Sequence, residues 1–200
     1  MRAVRSRAAW AAGWAAVLAL VAAPLAMPRE RRDEPSSLAA RLFGPIGALA
    51  ASVQWVRFEA ALDAGLPELA YSRAALALRL DPHATGGWTY LAAHLALERG
   101  SAEVEPDPER RAGWFRAALA LLERGERSAR DPAALALQRG LYLAAIADSE
   151  GALPWPGGET AARREAAAAF GHAAELGSKV AAELALRVQR ASTPEDGAPR

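Results

Sequence analysis

The sequence predicts an all-helical protein whose first helix spans a membrane. Apolar residues make up 52% of the chain, and alanine, the strongest helix former, dominates them, with Leu, Arg and Glu filling much of the rest. Residues typical of strands, the β-branched and aromatic types, are scarce, which argues against a substantial sheet. Glycine and proline recur between apolar stretches, as expected at helix boundaries.

The bulk composition excludes several classes of protein. A length of 200 residues fits one domain plus a short extra segment. From residue 29 onward the chain carries 21 basic and 23 acidic residues, so it lacks the basic surface that nucleic-acid binding requires. There is no cysteine, which rules out disulfides, zinc–thiolate sites and thiol catalysis.

Residues 8–28 form an uncharged run at the N-terminus. As a helix this run would span roughly 30 Å, the thickness of a bilayer core. Trp10 and Trp14 lie near its start, where indoles favour the membrane interface. Only positive charges precede the run, so the positive-inside rule places the N-terminus in the cytoplasm and residues 29–200 outside it.

The alternative for this run is a cleaved signal peptide. Pro24 disfavours the available cleavage positions, because it stands either three residues before the cut or directly after it. An uncleaved anchor or signal-anchor at 1–28 is therefore preferred. A polar linker at 29–37, a helical domain at 38–192 and a disordered tail at 193–200 complete the predicted organisation.

Glycine and proline divide the helical domain into stretches. A short helix at 38–42 is expected to stop at Gly44 and Pro45, and Gly65, Gly100 and Gly177 are predicted as left-handed C-caps. The later predicted helices cover 45–64, 67–80 and 84–99, then a stretch after Pro108 that ends near 130, a stretch from Pro132 to about 149, and 159–176 and 180–190. Short connections predict antiparallel helical hairpins.

Three sets of residues have the spacing of a helical repeat, in which large side chains on one helix pack against small ones on the next. They are Trp55, Gly65, Ala70 and Pro82 in the first unit, Trp88, Leu91 and Leu95 in the second, and Ala166 and Phe170 in the third. This pattern, over residues 50–178, resembles the tetratricopeptide repeat (TPR) family. The resemblance implies a TPR-like array of about three antiparallel helix pairs behind the anchor.

The departures from the TPR pattern lie mainly in spacing. Successive units end farther apart than the family's period of about 34 residues, and the excess falls in loops at 101–108 and 151–158, where insertions are tolerated. A non-repeat helical bundle is the alternative architecture. The whole arrangement also resembles anchored bacterial proteins in which a juxtamembrane helix leads into a TPR pair.

The resemblance also implies a partner groove, because TPR arrays bind peptides or helices on the face made by the first helix of each pair. Carried over by position, this predicted groove consists of Val56, Thr89, Leu97, Arg139, Leu143 and Ile146. Only Arg139 is charged, so the basic clamp with which the family holds acidic peptides is missing. We expect either an apolar partner helix or another part of the chain to cover the groove.

No constellation of residues indicates an enzyme. His94 and Glu98 are four residues apart on a predicted helix, but no HExxH or similar partner completes a metal site. We predict a surface imidazole paired with Glu98. Phosphate-binding glycine loops and a nucleophile elbow are also missing, so we expect no cofactor, no metal and no small-molecule substrate.

These observations lead to an expected function. The chain is predicted to be a membrane-tethered scaffold or adaptor of a bacterial cell envelope, single-pass in the inner membrane, that binds a protein partner. The abundance of Ala and Arg with a single Lys, Lys179, is typical of a GC-rich bacterial genome. The alternative is a structural subunit whose apolar groove is permanently filled by a partner chain.

Overall fold

A computed structural model describes residues 38–148 and 153–192, and every regular element in those ranges is helical. The all-α class is therefore confirmed for the described part of the chain. The helices are α1 (Leu38–Asp63), α2 (Pro67–Leu80), α3 (Thr85–Ala93), α4 (Pro108–Glu126), α5 (Pro132–Asp148), α6 (Gly158–Glu175) and α7 (Lys179–Ser192). A π-helical stretch, His94–Arg99, continues α3 and is called the π segment below.

The predicted anchor at 1–28, the linker at 29–37 and the tail at 193–200 lie outside the described residues. Within the described ranges, no helix has the length and apolar character needed to cross a membrane. The chain divides into two compact units, Met1–Leu49 and Ala50–Arg200. The structure describes only the beginning of α1 in the first unit, so the packing described below belongs to the second.

Proline sets the starts of several helices, as predicted, and aspartate caps two of them. Pro67, Pro108 and Pro132 each occupy the first position of a helix, where a missing N–H removes no helical hydrogen bond. Asp107 and Asp131 cap α4 and α5, and each carboxylate accepts a backbone N–H of the first turn at 3.0 Å.

Glycine caps two helices as predicted and a third differently. Gly65 and Gly177 follow α1 and α6 with φ of +69° and +104°. In both, the glycine N–H bonds the carbonyl three residues back and the next N–H bonds one five residues back, which is the Schellman pattern. The prediction for Gly100 is wrong, because its φ is −85°. A side chain there would meet the carbonyl oxygen of Ala96 at 2.5 Å.

Two predicted helix boundaries also differ from the structure. Helix α1 continues through Gly44 and Pro45, because the strong helix formers on both sides outweigh the one hydrogen bond that proline removes. Helix α4 ends at Glu126 and not near 130. The residues that follow turn back instead, and the N–H of Arg130 bonds the carbonyl of His83 at 3.0 Å.

Successive helices of the second unit run antiparallel. Near the end of α5, Asp148 pairs with Arg163 from the start of α6, while Gly140 farther back on α5 lies against Phe170. The contacts between α2 and α3, and those between α3 and α4, likewise join the start of one helix to the end of the other. The predicted helical hairpins are therefore present.

Alternate helices also contact each other. Trp55 and Phe58 of α1 lie edge-on to Tyr90 of α3, with ring centroids 5.4 and 6.0 Å apart. Helix α3 in turn contacts α5. The first helix of each pair thus packs against the first helix of the next, which is a repeat-like arrangement.

Large rings pack against glycine and alanine in the core. The indole of Trp88 on α3 approaches α4 so closely that a Cβ at Gly125 would lie 2.8 Å from the ring. Its Nε1–H donates to the carbonyl of Pro82 at 2.8 Å. This one side chain therefore joins the start of α3 to the end of α4.

Candidate partner-binding cleft

An open cleft lies among α4, α5 and α6, with Trp155 of the preceding loop on one side. Its volume is about 440 Å³, which lies within the range of ligand and peptide pockets. We call it the α4–α6 cleft. Because helix faces rather than loop tips form most of its surface, its shape is set by the packing of the core.

The floor of the α4–α6 cleft is apolar. Leu119, Leu143 and Ala169 come from the three helices in turn, and all three are buried. Trp155 is partly buried and packs against the same core. Its indole nitrogen is enclosed and meets no acceptor in the part of the chain that the structure describes.

The rim of the cleft carries charges of both signs. Arg116 and Glu123 stand seven residues apart on the exposed side of α4, and Glu165 is exposed on α6. Among the described residues, none of these three has an ion-pair partner within 4.0 Å. Their charges are therefore open to a partner.

A buried carboxylate behind the cleft joins its three helices. Glu126 at the end of α4 is 10% exposed, and its Oε1 lies 3.2 Å from the Nε of Arg139 on α5. Its Oε2 lies 3.5 Å from the Nε2 of His172 on α6. Burial raises the pKa of Glu126, and the charges of Arg139 and His172 oppose that rise. Of the rim and floor residues, Arg139 is thus the one whose charge is already balanced by an acidic group.

The structure does not bring the predicted groove residues together on one open face. Arg139 and Leu143 line the α4–α6 cleft, whereas Ile146 is buried in the core. Val56 and Leu97 are 69% and 58% exposed, and the cleft lining includes neither. Thr89 is partly buried and donates to the carbonyl of Thr85 at 3.2 Å in its own helix.

The residues predicted to pack the repeats lie mostly inside the second unit. They are buried at Ala70, Trp88, Leu91, Ala166 and Phe170, partly buried at Trp55, Pro82 and Leu95, and exposed at the cap residue Gly65. Phe170 shows the closest approach, because a Cβ at Gly140 would lie 2.5 Å from its ring. The two helices of this pair therefore meet where a large ring packs against a small residue.

His94 belongs to the core and not to the surface. Its Nδ1 lies 2.8 Å from Glu98 Oε2, so the predicted pair is present, but the side chain is only 5% exposed. The ring packs edge-on to Phe58, and its Nε2 lies 3.3 Å from the hydroxyl of Tyr71. The surface prediction is wrong because α1 and α2 cover this face of the π segment. Burial also raises the pKa of Tyr71.

Eight of the ten residues that line the cleft were not predicted from the sequence, among them Arg116, Glu123, Trp155 and Glu165. The signal for α4 was present: Arg116, Ala120 and Glu123 follow helical spacing along a face next to the one that buries Phe115 and Leu122. Trp155 had no such signal, because a tryptophan in a Pro- and Gly-rich loop has no periodic partners. The cleft is formed by the packing of α4, α5 and α6, and the residue pattern of a single helix does not show how three helices pack.

In the described ranges no three His, Cys, Asp or Glu side chains are grouped so that they could hold a metal ion. Comparison of the chain with models of protein families, with curated proteins and with solved structures gives no match.

Proposed function

We propose that this chain is a membrane-tethered scaffold or adaptor of a bacterial cell envelope, which holds a protein partner in the α4–α6 cleft. The apolar run at 8–28 is the tether. Its positive flank favours a single-pass protein of the inner membrane with the helical domain outside the cytoplasm. The alternative for the tether is cleavage, which would release the helical domain as a secreted protein.

We further infer that the helical domain is a TPR-like array of the pairs α1/α2, α3/α4 and α5/α6. Two features support this architecture. The first helices of successive pairs contact each other, and rings pack on glycine at Trp88–Gly125 and Phe170–Gly140. TPR arrays use the same pairing of large with small residues to bring helices together.

The observation that carries the proposed binding role is the combination of floor and rim in the α4–α6 cleft. The apolar floor would contribute affinity, and the three rim charges, which have no ion-pair partner in the part of the chain that the structure describes, would orient the partner. Protein interfaces have this anatomy, with an apolar centre and a polar border. An enzyme pocket would need reacting groups within hydrogen-bond reach of one another.

Site-specific photo-crosslinking in cells tests this role. A photoreactive residue at Ala120 or Ala168, which both line the cleft, is expected to capture one defined partner. The matched control is Ala117, which is exposed on α4 but is not among the lining residues. Equal capture of the same protein from Ala117 and Ala120 would show that the cleft is not the binding site.

The second candidate function is a structural subunit whose cleft is permanently filled. It is favoured by the additional exposed apolar side chains of Val56 and Leu97, which a permanent assembly would cover. This candidate predicts that the purified full-length chain, in detergent, self-associates or aggregates without its partner. Monomeric behaviour at high concentration in sedimentation experiments would favour the adaptor instead.

The proposed topology has its own test. We expect a reporter enzyme that works only outside the cytoplasm to be active when it is fused after Arg200. Activity of a cytoplasm-only reporter at the same position would show the opposite orientation. Recovery of the fusion in the soluble envelope fraction, shortened by about the length of a signal peptide, would identify cleavage.

A further inference from the structure

The charges around the α4–α6 cleft are not balanced. Arg139 is compensated from within the protein, because Glu126 lies 3.2 Å from its Nε. The lining carries two guanidinium groups, Arg116 and Arg139, and two carboxylates, Glu123 and Glu165, and the last two and Arg116 have no ion-pair partner among the described residues. With Glu126 counted behind Arg139, three carboxylates stand against two guanidinium groups, so a partner side chain that enters the cleft meets a net negative charge.

The two carboxylates come from different helices. Glu123 projects from α4 and Glu165 from α6, and both line the same 440 Å³ space. Because both carboxylates line one space, a cation in that space is attracted by each of them. An anion placed there would meet the same two carboxylates as like charges, with the charge of Arg139 already opposed by Glu126.

The apolar part of the lining suits a long basic side chain. Lysine and arginine carry flexible hydrocarbon stems that pack on apolar surface while the charged end stays near water. Leu119 and Leu143 provide such a surface on the floor. Trp155 lines the same space, and an indole face attracts a cation more strongly than other aromatic rings do.

We propose that the partner presents a lysine or arginine flanked by apolar residues, and that Glu123 and Glu165 receive its charge beside the Trp155 ring. This inference rests on the proposed binding role of the cleft. It reverses the charge preference of the basic clamp that TPR proteins use for acidic peptides. The charge complementarity of the cleft is what selects this occupant.

Selection from a random peptide display library tests the proposal with the full-length chain as bait. We expect the selected peptides to be enriched in Lys or Arg at one position between apolar residues. Each of Glu123→Gln and Glu165→Gln is expected to weaken such a peptide about threefold to fivefold, as partly exposed ion pairs do. The control is Glu59→Gln with Glu103→Gln, which removes two exposed carboxylates outside the cleft.

The outcomes separate this inference from the proposed function. Loss of the basic peptides in the cleft variants, with retention in the control, supports both. Enrichment of acidic or uncharged peptides that still compete with crosslinking at Ala120 overturns the charge preference and leaves the binding role standing. Selection of peptides whose binding is unchanged by Glu123→Gln, Glu165→Gln and Trp155→Ala overturns both.

Discussion

The two ends of the second unit are packed by opposite means. Between α5 and α6 the contact is the most extensive of any helix pair described, with Phe170 directly on Gly140 and alanines filling the rest. Between α1, α2 and the π segment, rings meet other rings: Phe58 contacts Tyr71 and His94 at centroid distances of 6.4 and 5.3 Å. Small residues thus bring helices together, and aromatic residues hold them apart.

This difference has an energetic meaning. A ring that rests on a glycine backbone has a neighbour that cannot move, so any change of volume is felt in full. A ring surrounded by other partly exposed rings has neighbours that can rotate to fill a gap. We therefore expect the α5/α6 pair to be rigid and intolerant of substitution, and the aromatic cluster to be more adaptable.

Truncation of the two buried phenylalanines gives the largest expected effect. Phe170→Ala should lower the free energy of unfolding by about 5 kcal/mol, near the upper end for buried Phe, because the Gly140 backbone cannot close the cavity. Phe58→Ala should cost about 3 kcal/mol, since Tyr71 and Tyr90 can collapse into the space. Urea unfolding of the full-length chain, followed by circular dichroism, measures both. A larger loss for Phe58→Ala would contradict the comparison.

Two glycine substitutions separate packing from helix propensity. Gly140→Ala forces a methyl group against the Phe170 ring and should destabilise by about 1–2 kcal/mol, after the gain in helix propensity is included. Gly171→Ala adds the same methyl group to α6, where nothing lies within 4 Å, and should stabilise by about 0.5–1 kcal/mol. Equal effects of the two substitutions would mean that the Gly140 contact is not tight. The same unfolding experiment reports both values.

A smaller change in stability is expected at alkaline pH, where two tyrosines, one toward each end of the unit, lose their protons. Burial raises the pKa of Tyr71 near α1 and of Tyr142 on α5 above 10.0. Because the folded chain holds these protons more tightly, their stabilisation is complete below pH 10 and is lost as pH rises through the raised pKa. Tyr71→Phe and Tyr142→Phe should each flatten the fall in stability above pH 10. Unchanged alkaline unfolding in both variants would contradict this.

At neutral pH the two tyrosine variants should differ. Tyr71→Phe removes the hydroxyl next to His94 Nε2, and an unpaired buried polar atom costs about 1–2 kcal/mol. Tyr142→Phe removes a buried hydroxyl that lies beside the Gln138 side chain without meeting it in good hydrogen-bond geometry, so it should cost less. Urea unfolding at pH 7 checks the order of the two values.

Sequence reasoning recovered the helices better than their contacts. Helix α2 begins and ends where Pro67 and Asp81 predicted, because helix boundaries depend on local backbone chemistry. Burial of His94 was not predictable in the same way, since the residues that cover it lie on α1 and α2, more than 20 positions away for Tyr71. The cleft was missed for the same reason: Trp155 and Glu165 meet α4 only after three helices have packed.

The π segment shifts the angular positions of side chains around the axis of the helix that contains it. A π turn holds about one residue more than an α turn, which corresponds to about 100° of rotation. Side chains before His94 and after Arg99 therefore do not follow one continuous helical wheel, and the guanidinium of Arg99, at the end of the segment, lies 5.1 Å from the centre of the Trp114 ring. We expect deletion of the exposed Leu97 to restore α geometry and to turn Arg99 away from α4.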